Sequence, residues 1–459
     1  MTPHDLVERA LEASSSSQCV VMVDVRTSAN LRWANNTLTT NGETTGTSAT
    51  VVAFSDRAHG TATASLSRSV VTVDDVLALV ADADAAAASA SPASDAAPLA
   101  ADRADADWST PPDSTSIGVY SSIAPALGEA FGQADAEGRV LYGFVDHEVV
   151  TSYLGSSTGL RLRHTQPGGH IGITGKDAAQ TRSAWVGRAT RDFDDVDPLA
   201  LADELRTRLS WAERTVDLEA GRYDTVLPPA AVADLMIYAY WTATGREAHE
   251  GQTVFGRSGG GTRIGDRVGR PGVQLGWDPA APGLECSPFV QAAASSSAQS
   301  VFDNGQPVEA TRWIDDGTLS ALIQTRESAR VSGAAFTPYG DNLVMSVDGA
   351  TGGLDDLVAG VERGLLLTCL WYIREVDAQT LLLTGLTRDG VYLVEGGEIT
   401  GAVNNFRFNE SPVDLLSRFS EAGASVPSFS REWGDEFLRT ATPALRVPDF
   451  NMSSVSQAQ

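Results

Sequence analysis

The clearest candidate for hydrolytic chemistry in this sequence is a histidine followed by a glutamate. A zinc peptidase helix carries two histidines one turn apart, which share the metal, and a glutamate beside the first histidine acts as general base. His249 and Glu250 begin such a pattern, but threonine and valine stand at positions 253 and 254. The pair also follows Gly245 in a polar stretch, which favours a solvated loop. A metal role for His249 and Glu250 is therefore the less favoured interpretation.

A second pattern, at residues 256–260, matches the G-x-S-x-G nucleophile elbow of serine hydrolases. That elbow requires a strand before the serine and a helix after it. Residues 261–265 include two glycines and do not follow a helical pattern. Because the chain contains 43 glycines, the match arises easily by chance, and we predict no serine nucleophile here.

The remaining histidines and cysteines lack the spacing of metal ligands. His164 and His170 flank residues 166–169, which read as a turn, so the two imidazoles could approach each other across a hairpin. Two histidines alone make a poor metal site. Cys369 lies within an apolar run and is predicted to be a small buried hydrophobic residue.

Composition excludes several classes of protein. The 459 residues suggest two or three domains at roughly 150 residues each. The 33 basic and 59 acidic residues give a net charge of −26, which repels nucleic-acid backbones and anionic lipid, so we expect binding to neither. Lysine occurs once, at Lys176. Three cysteines far apart, an acidic amino terminus and no long apolar run predict a cytoplasmic protein.

The pattern of the first half predicts helices packed on an antiparallel sheet. A helix is expected over residues 4–13, followed by a buried strand at 19–23. Further strands are expected at 31–40 and 48–54, joined by a loop that opens at Asn41 and Gly42. The Ala- and Asp-rich tract 83–107 is predicted to be a surface excursion, because it has little apolar area to bury.

The second half is predicted to be mostly β. A strand at 221–227 meets a proline pair, and an apolar helix follows over 230–244, which Gly245 ends. Alternating strands make up most of the rest. We therefore predict an α+β protein with an N-terminal helix-plus-antiparallel-sheet domain at 1–220 and a β-rich C-terminal domain at 221–459.

Several segments, in a consistent order over roughly residues 20–420, resemble the TldD/PmbA (modulator of DNA gyrase) family. The most specific is the Phe-Asp-Asn-Gly stretch within 301–307, followed by the Ile-Asp-Asp-Gly-Thr-Leu stretch at 314–319. The other segments that carry the resemblance are 31–38, 221–227, 341–345, 364–368 and 390–399.

The resemblance implies a particular kind of subunit. In the family, TldD-type chains carry an HExxxH zinc helix after the strand that resembles 221–227, and a cysteine near the carboxyl end is a further ligand. On this chain that helix would fall on 230–244, with Ile237, Tyr238 and Thr242 at the three motif positions, and no cysteine follows Cys369. The chain therefore resembles the TldE (PmbA-type) subunit, which lacks the metal motif.

Three functions follow as expectations. The leading one is a non-catalytic TldE-like subunit that pairs with a TldD-like metallopeptidase, which holds the zinc, and acts on unfolded peptides; this chain would have no cofactor of its own and could form a homodimer when alone. The second is an active metallopeptidase that uses His249, Glu250 and a ligand such as Cys369, His164 or His170. The third is a peptide- or small-molecule-binding protein without a peptidase partner.

Overall fold

Three β-sheets and nine α-helices form the part of the chain that the structure, a computed structural model, describes, which is residues 2–456. One sheet belongs to the N-terminal half, and the other two are built from residues after 214. The predicted α+β class, with helices and an antiparallel sheet first and a mostly β region after them, is confirmed. No helix among residues 2–456 is long and apolar enough to cross a membrane.

The N-terminal half is a six-stranded antiparallel sheet with four helices. The strands are β1 (Gln18–Ala34), β2 (Thr37–Arg57), β3 (Gly60–Ser69), β4 (Arg139–Ser156), β5 (Arg161–Asp177) and β6 (Ser183–Thr190). They run in the spatial order β3-β2-β1-β4-β5-β6. The helices are α1 (Pro3–Ala13), α2 (Val73–Ser89), α3 (Ile123–Ala136) and α4 (Pro198–Trp211), with a 3-10 helix at Ile117–Tyr120.

The start of β1 is buried on both faces of this sheet. Successive side chains of a strand point to opposite faces. On β1, Cys19, Val21 and Val23 pack under α1 and α2. Val20 and Met22, on the other face, pack in a cluster shared with the C-terminal half. The unbroken apolar run at 19–23 is therefore the signature of a strand covered on both sides.

The C-terminal half contains the other two sheets. Its strands are β7 (Thr215–Val216), β8 (Gly221–Leu227), β9 (Val273–Trp277), β10 (Thr311–Asp315), β11 (Thr318–Leu319), β12 (Leu343–Val347), β13 (Arg363–Leu367), β14 (Leu370–Asp377), β15 (Leu382–Thr387), β16 (Val391–Glu395), β17 (Glu398–Val403), β18 (Phe406–Glu410), β19 (Glu421–Ala422), β20 (Val426–Ser428), β21 (Thr440–Thr442) and β22 (Leu445–Val455). One sheet has the order β11-β10-β9-β12-β21-β20, and the other has the order β14-β15-β18-β22-β8-β13-β16-β17-β7, with β19 beside β22. The helices are α5 (Pro229–Trp241), α6 (Gly245–His249), α7 (Arg326–Ser332), α8 (Leu354–Ala359) and α9 (Pro412–Arg418), with a 3-10 helix at Val301–Asp303.

The tract at 83–107 joins the two halves of the molecule. Helix α2 runs into it as far as Ser89, and the remainder is irregular. The Asp95 carboxylate accepts hydrogen bonds from the hydroxyls of Ser295 (2.6 Å) and Ser300 (2.7 Å). The carbonyl of Pro98 accepts one from the Arg326 guanidinium at 2.7 Å. The segment is thus held by polar contacts with the C-terminal half and by backbone hydrogen bonds with the N-terminal half, such as the one from the Asp105 N–H to the Arg161 carbonyl at 2.8 Å.

The Phe-Asp-Asn-Gly stretch at 302–305 lies at the same junction. The Phe302 ring contacts the Phe54 ring edge to face, with centroids 5.0 Å apart. The Asp303 carboxylate is 4% exposed and accepts hydrogen bonds from Nε of Arg326 (2.6 Å) and from its backbone N–H (3.2 Å). Burial raises the pKa of Asp303, and Arg326 opposes that shift. The motif therefore ties the first sheet to the start of α7.

The first hairpin turns earlier than the sequence pattern predicts. The chain reverses at Asn35 and Asn36, whose φ angles are 50° and 57°. Asparagine tolerates this left-handed region, which a tight two-residue hairpin loop requires. β2 then continues through Asn41 and Gly42, which pair with Leu31 and Asn30 of β1 respectively. The predicted loop at Asn41 and Gly42 is wrong.

The predicted turn at 166–169 is also wrong. β5 runs without a break through these residues, and Pro167 lies opposite Val149 of β4. Gly169 allows close packing instead, because a Cβ on it would lie 2.6 Å from the carbonyl oxygen of Asp146. His164 and His170 are therefore on one strand, six residues apart, rather than facing each other across a hairpin.

The apolar helix predicted at 230–244 is shorter in the structure. α5 ends at Trp241, and Gly245 begins α6 instead of ending α5. A Cβ on Gly245 would lie within 2.5 Å of the Gln324 side-chain amide, so close packing requires the glycine. Local pattern does not reveal such a contact, because Gln324 is distant in the sequence.

Candidate functional site

Helix α5 occupies the centre of the C-terminal half. Pro229 stands at its first position, where the fixed φ of proline suits a helix. Nine of its 13 residues are buried. A helix that is apolar on all sides belongs in a core, and α5 packs against β8, β20, β21 and α9.

The three positions that the resemblance assigns to a zinc motif carry side chains that do not fit a metal. Ile237 is fully buried in the core and has no donor atom. The Tyr238 hydroxyl donates a hydrogen bond to the carbonyl of Ile373 at 2.9 Å. The Thr242 hydroxyl donates to the carbonyl of Tyr238 at 2.8 Å, just after the last helical residue. These positions provide packing and local hydrogen bonds rather than metal ligands.

One acidic residue is buried in α5. Asp234 is fully buried, and its Oδ1 accepts hydrogen bonds from the Ser430 hydroxyl and from the backbone N–H of Glu432, the latter at 2.9 Å. Its Oδ2 has no hydrogen-bond partner within residues 2–456. Burial raises the pKa of Asp234 to about 7. The side chain fixes the loop at 430–432 against the helix.

The same loop holds the start of the edge strand β14. The Glu432 carboxylate accepts hydrogen bonds from the backbone N–H groups of Tyr372 and Ile373, both at 3.0 Å. It also pairs with Arg374 at 3.2 Å, and only 8% of its side chain is exposed. A chain of polar contacts therefore runs from Asp234 through the 430–432 loop to β14.

His249 and Glu250 lie outside this arrangement. His249 is the last residue of α6 and is partly exposed, and Glu250 caps the helix end. The Glu250 carboxylate accepts hydrogen bonds from Nε of Arg246 (3.2 Å) and from the Gln252 amide (3.0 Å). Ser258 of the G-x-S-x-G pattern is exposed in an irregular loop. The loop predicted at His249 is therefore wrong, but α6 ends at this residue and does not continue to the position of a second ligand, and Ser258 does not lie between a strand and a helix.

The other proposed ligands lie in separate environments. His164 forms a hydrogen bond with Gln166 at 3.1 Å, and burial lowers its pKa. His170 stacks on Phe429 with ring centroids 5.2 Å apart, and burial lowers its pKa as well. Cys369 is 1% exposed, and burial raises its thiol pKa to about 12. Across the described residues 2–456, no group of three or more His, Cys, Asp or Glu side chains is arranged to hold a metal ion.

Sequence reasoning missed the residues that organise this region. A lone acid within the apolar run of α5 was the available signal for Asp234, since an aspartate there must find buried partners. Glu432 carries no local signal, because its partners Ile373 and Asp234 are 59 and 198 residues away in the sequence.

Comparison with known proteins identifies the family. The model of the PmbA/TldA metallopeptidase C-terminal domain matches residues 220–454. No curated protein sequence matches the chain. Three solved structures share the fold. TldE from Thermococcus kodakarensis has a TM-score of 0.77 at 15% identity, covering 97% of this chain and 98% of that one. A proposed modulator of a DNA gyrase from Thermotoga maritima has a TM-score of 0.75 at 15% identity, covering 97% of this chain and 99% of that one. Another from Bacteroides thetaiotaomicron has a TM-score of 0.71 at 14% identity, covering 99% and 98%.

The likeness of these structures extends over nearly the whole chain and agrees with the sequence resemblance. The match at residues 220–454 spans just over half of the 459 residues, and the chain therefore belongs to the PmbA/TldA metallopeptidase family.

Proposed function

We propose that this chain is a non-catalytic, TldE-like subunit of a TldD/TldE-type metallopeptidase complex. In this proposal the zinc and the catalytic residues belong to a TldD-like partner, and the complex acts on unfolded peptides in the cytoplasm. The observation that carries the proposal is the chemistry of α5. Ile237 is packed in the core, and the hydroxyls of Tyr238 and Thr242 are committed to backbone carbonyls.

An exposed sheet edge supports a role in holding peptides. β14 is the terminal strand of its sheet, and Tyr372 and Val376 on it are 52% and 56% exposed. Glu432 occupies the N–H groups of Tyr372 and Ile373, so the strand beyond Ile373 is the candidate segment. An extended peptide can add to such an edge through backbone hydrogen bonds, with little demand on its sequence. This mode suits unfolded substrates.

The proposal is tested by reconstitution. We would co-express the chain with a TldD-like protein from the same genome that carries the HExxxH motif, purify the pair, and measure cleavage of unfolded, fluorescently labelled casein with and without a chelator. We expect cleavage by the pair, loss of cleavage with the chelator, and no zinc bound to the isolated chain. A His249→Ala variant should support the same activity as the wild type, since His249 is outside the proposed machinery.

Two outcomes would contradict the proposal in different ways. If the isolated chain binds one equivalent of zinc and cleaves casein, and His249→Ala abolishes both, the chain is itself a metallopeptidase. If no TldD-like chain co-purifies with it and casein is not cleaved by the mixture, the chain is a binding protein without a peptidase partner. Light scattering of the isolated chain would show whether it forms a homodimer alone.

A further inference from the structure

A cleft lies between the N-terminal sheet and the C-terminal half. Its volume is about 890 Å³, which is within the range of small-molecule sites. Residues of β5 and β6 line one side, and the segments at 388–392 and 402–405 line the other. A smaller pocket of about 220 Å³ shares Thr174, Trp371 and Arg431 with it and extends to Glu432. The cleft thus continues toward the loop that contacts α5.

The charge of the cleft is opposite to that of the chain. Basic residues number 33 and acidic residues 59 in the whole sequence. The cleft lining has four basic side chains against two acidic ones. The basic residues are Lys176, Arg182, Arg388 and Arg431, and the acidic residues are Asp217 and Asp389. They include the only lysine in the sequence. A local positive surplus in a protein of net charge −26 attracts anions to this place in preference to the rest of the surface.

Several donor groups at the wall of the cleft have no partner. Within residues 2–456, the buried atoms without a hydrogen-bond partner include Trp371 Nε1, the Tyr392 hydroxyl, Asn404 Nδ2 and Arg431 Nε. All four residues line the cleft. Tyr392 is 1% exposed, so its hydroxyl is deep in the wall. Buried polar groups are almost always satisfied, and since each of these can donate, the complementary ligand is an acceptor with several oxygen atoms.

Arg431 is the best-positioned of the cations. Its guanidinium carbon lies 4.9 Å from the ring centroid of Trp185 and 4.3 Å from that of Trp371. The guanidinium is therefore in contact with two indole rings. No carboxylate of the described residues lies within ion-pair distance of it, whereas Arg182 pairs with Asp177 at 3.4 Å. The buried Asp234 interacts electrostatically with Arg431 but lies beyond ion-pair distance. An arginine that contacts aromatic rings and forms no ion pair retains its planar donors for a carboxylate.

We propose that this cleft binds a carboxylate, with the Arg431 guanidinium as the main contact and Tyr392 and Asn404 as further donors. The ligand is the C-terminal carboxylate of a short peptide or a free small carboxylic acid. The surplus of two basic side chains, four against two acidic ones, favours an anion, and the planar Arg431 guanidinium can donate to both oxygens of a carboxylate. The inference concerns the isolated chain and does not depend on a peptidase partner.

The test is calorimetric titration of the isolated full chain. The probes are N-acetyl-dialanine with a free carboxylate, the same peptide as its C-terminal amide, succinate, and inorganic phosphate. We expect the carboxylate peptide to bind at least about tenfold more tightly than the amide, because the amide loses a charged hydrogen bond. Arg431→Gln should weaken binding of the carboxylate peptide by about 10- to 100-fold. Arg330→Gln, at a site where 73% of the arginine side chain is exposed, is the matched control and should not change it.

Comparison of the peptide with succinate distinguishes the two sources of carboxylate, since the tighter probe identifies the ligand. Tyr392→Phe removes only a hydroxyl and keeps the ring packed on Trp211, so it provides an independent binding test if Arg431→Gln does not fold. We expect it to weaken binding of the carboxylate by about fivefold. Equal affinity for the acid and the amide, tighter binding of phosphate, no binding of either carboxylate, or unchanged affinity in folded Arg431→Gln and Tyr392→Phe would each overturn the inference.

Discussion

Replacing Asp234 with asparagine should change how the stability of this protein depends on pH. The carboxyl is fully buried, and burial raises its pKa from 3.8 to about 7. Because the folded-state pKa lies above the unfolded-state value, the protonated form stabilises the fold at low pH. That stability falls as the pH rises from 3.8 to about 7 and changes little above it.

The size of the effect follows from these two pKa values. One pKa unit corresponds to about 1.4 kcal/mol. Between about pH 5 and about pH 8 the unfolded state has already lost this proton, whereas the folded state keeps the Asp234 proton over roughly the first two pH units. The free energy of unfolding should therefore fall by about 2.5 kcal/mol over this range from this group alone. Asparagine keeps an oxygen for the Ser430 hydroxyl and the Glu432 N–H, and its amide nitrogen replaces an oxygen that has no partner.

The assay is urea unfolding of the wild type and of Asp234→Asn at several pH values over that range. We expect the difference in free energy of unfolding between the two proteins to change by about 2.5 kcal/mol, with the variant gaining on the wild type as the pH rises. Asp355→Asn, at an exposed position of α8, is the control and should follow the pH dependence of the wild type. If the curves of the wild type and Asp234→Asn stay parallel, the assignment of a buried, readily protonated carboxyl to α5 is refuted.

Three further substitutions test the packing described above. Arg326→Ala leaves the buried Asp303 carboxylate without its cation, so urea unfolding should show a free energy of unfolding lower by about 3–5 kcal/mol. Arg330→Ala, at an exposed site, should lower it by less than about 0.5 kcal/mol. Similar losses in both variants would contradict the buried pair. Phe302→Ala removes a ring that is 2% exposed at the junction of the halves, and chemical denaturation should show a loss of about 3–5 kcal/mol, while a loss below about 1 kcal/mol would mean that the junction contributes little. Tyr238→Phe removes one hydrogen bond to a backbone carbonyl and should cost about 0.5–1.5 kcal/mol with unchanged casein cleavage by the reconstituted pair; lost cleavage in the folded variant would show that the hydroxyl has a functional role.

The sequence predicts the parts of this fold that depend on neighbouring residues. The apolar run at 19–23 predicts a buried strand, and the helix over 4–13 and the strand at 221–227 follow from local periodicity and from the prolines beside them. The wrong predictions fall on glycine and asparagine residues, which are common in turns but also occur within strands. Gly42 and Gly169 are typical of turns but lie within strands here, and the reason is their pairing with a neighbouring strand, which the local sequence does not reveal.

Some features of the candidate site also follow from the sequence alone, and others only from the tertiary structure. That Ile237, Tyr238 and Thr242 cannot replace zinc ligands follows from residue type alone, and so does the negative charge of the chain. The contacts of Asp234 with the loop at 430–432 and the gathering of Lys176, Arg388 and Arg431 around one cleft were decided by the tertiary structure. Local periodicity specifies which face of an element is buried, but the partner across that face is set by sheet order and packing between distant segments.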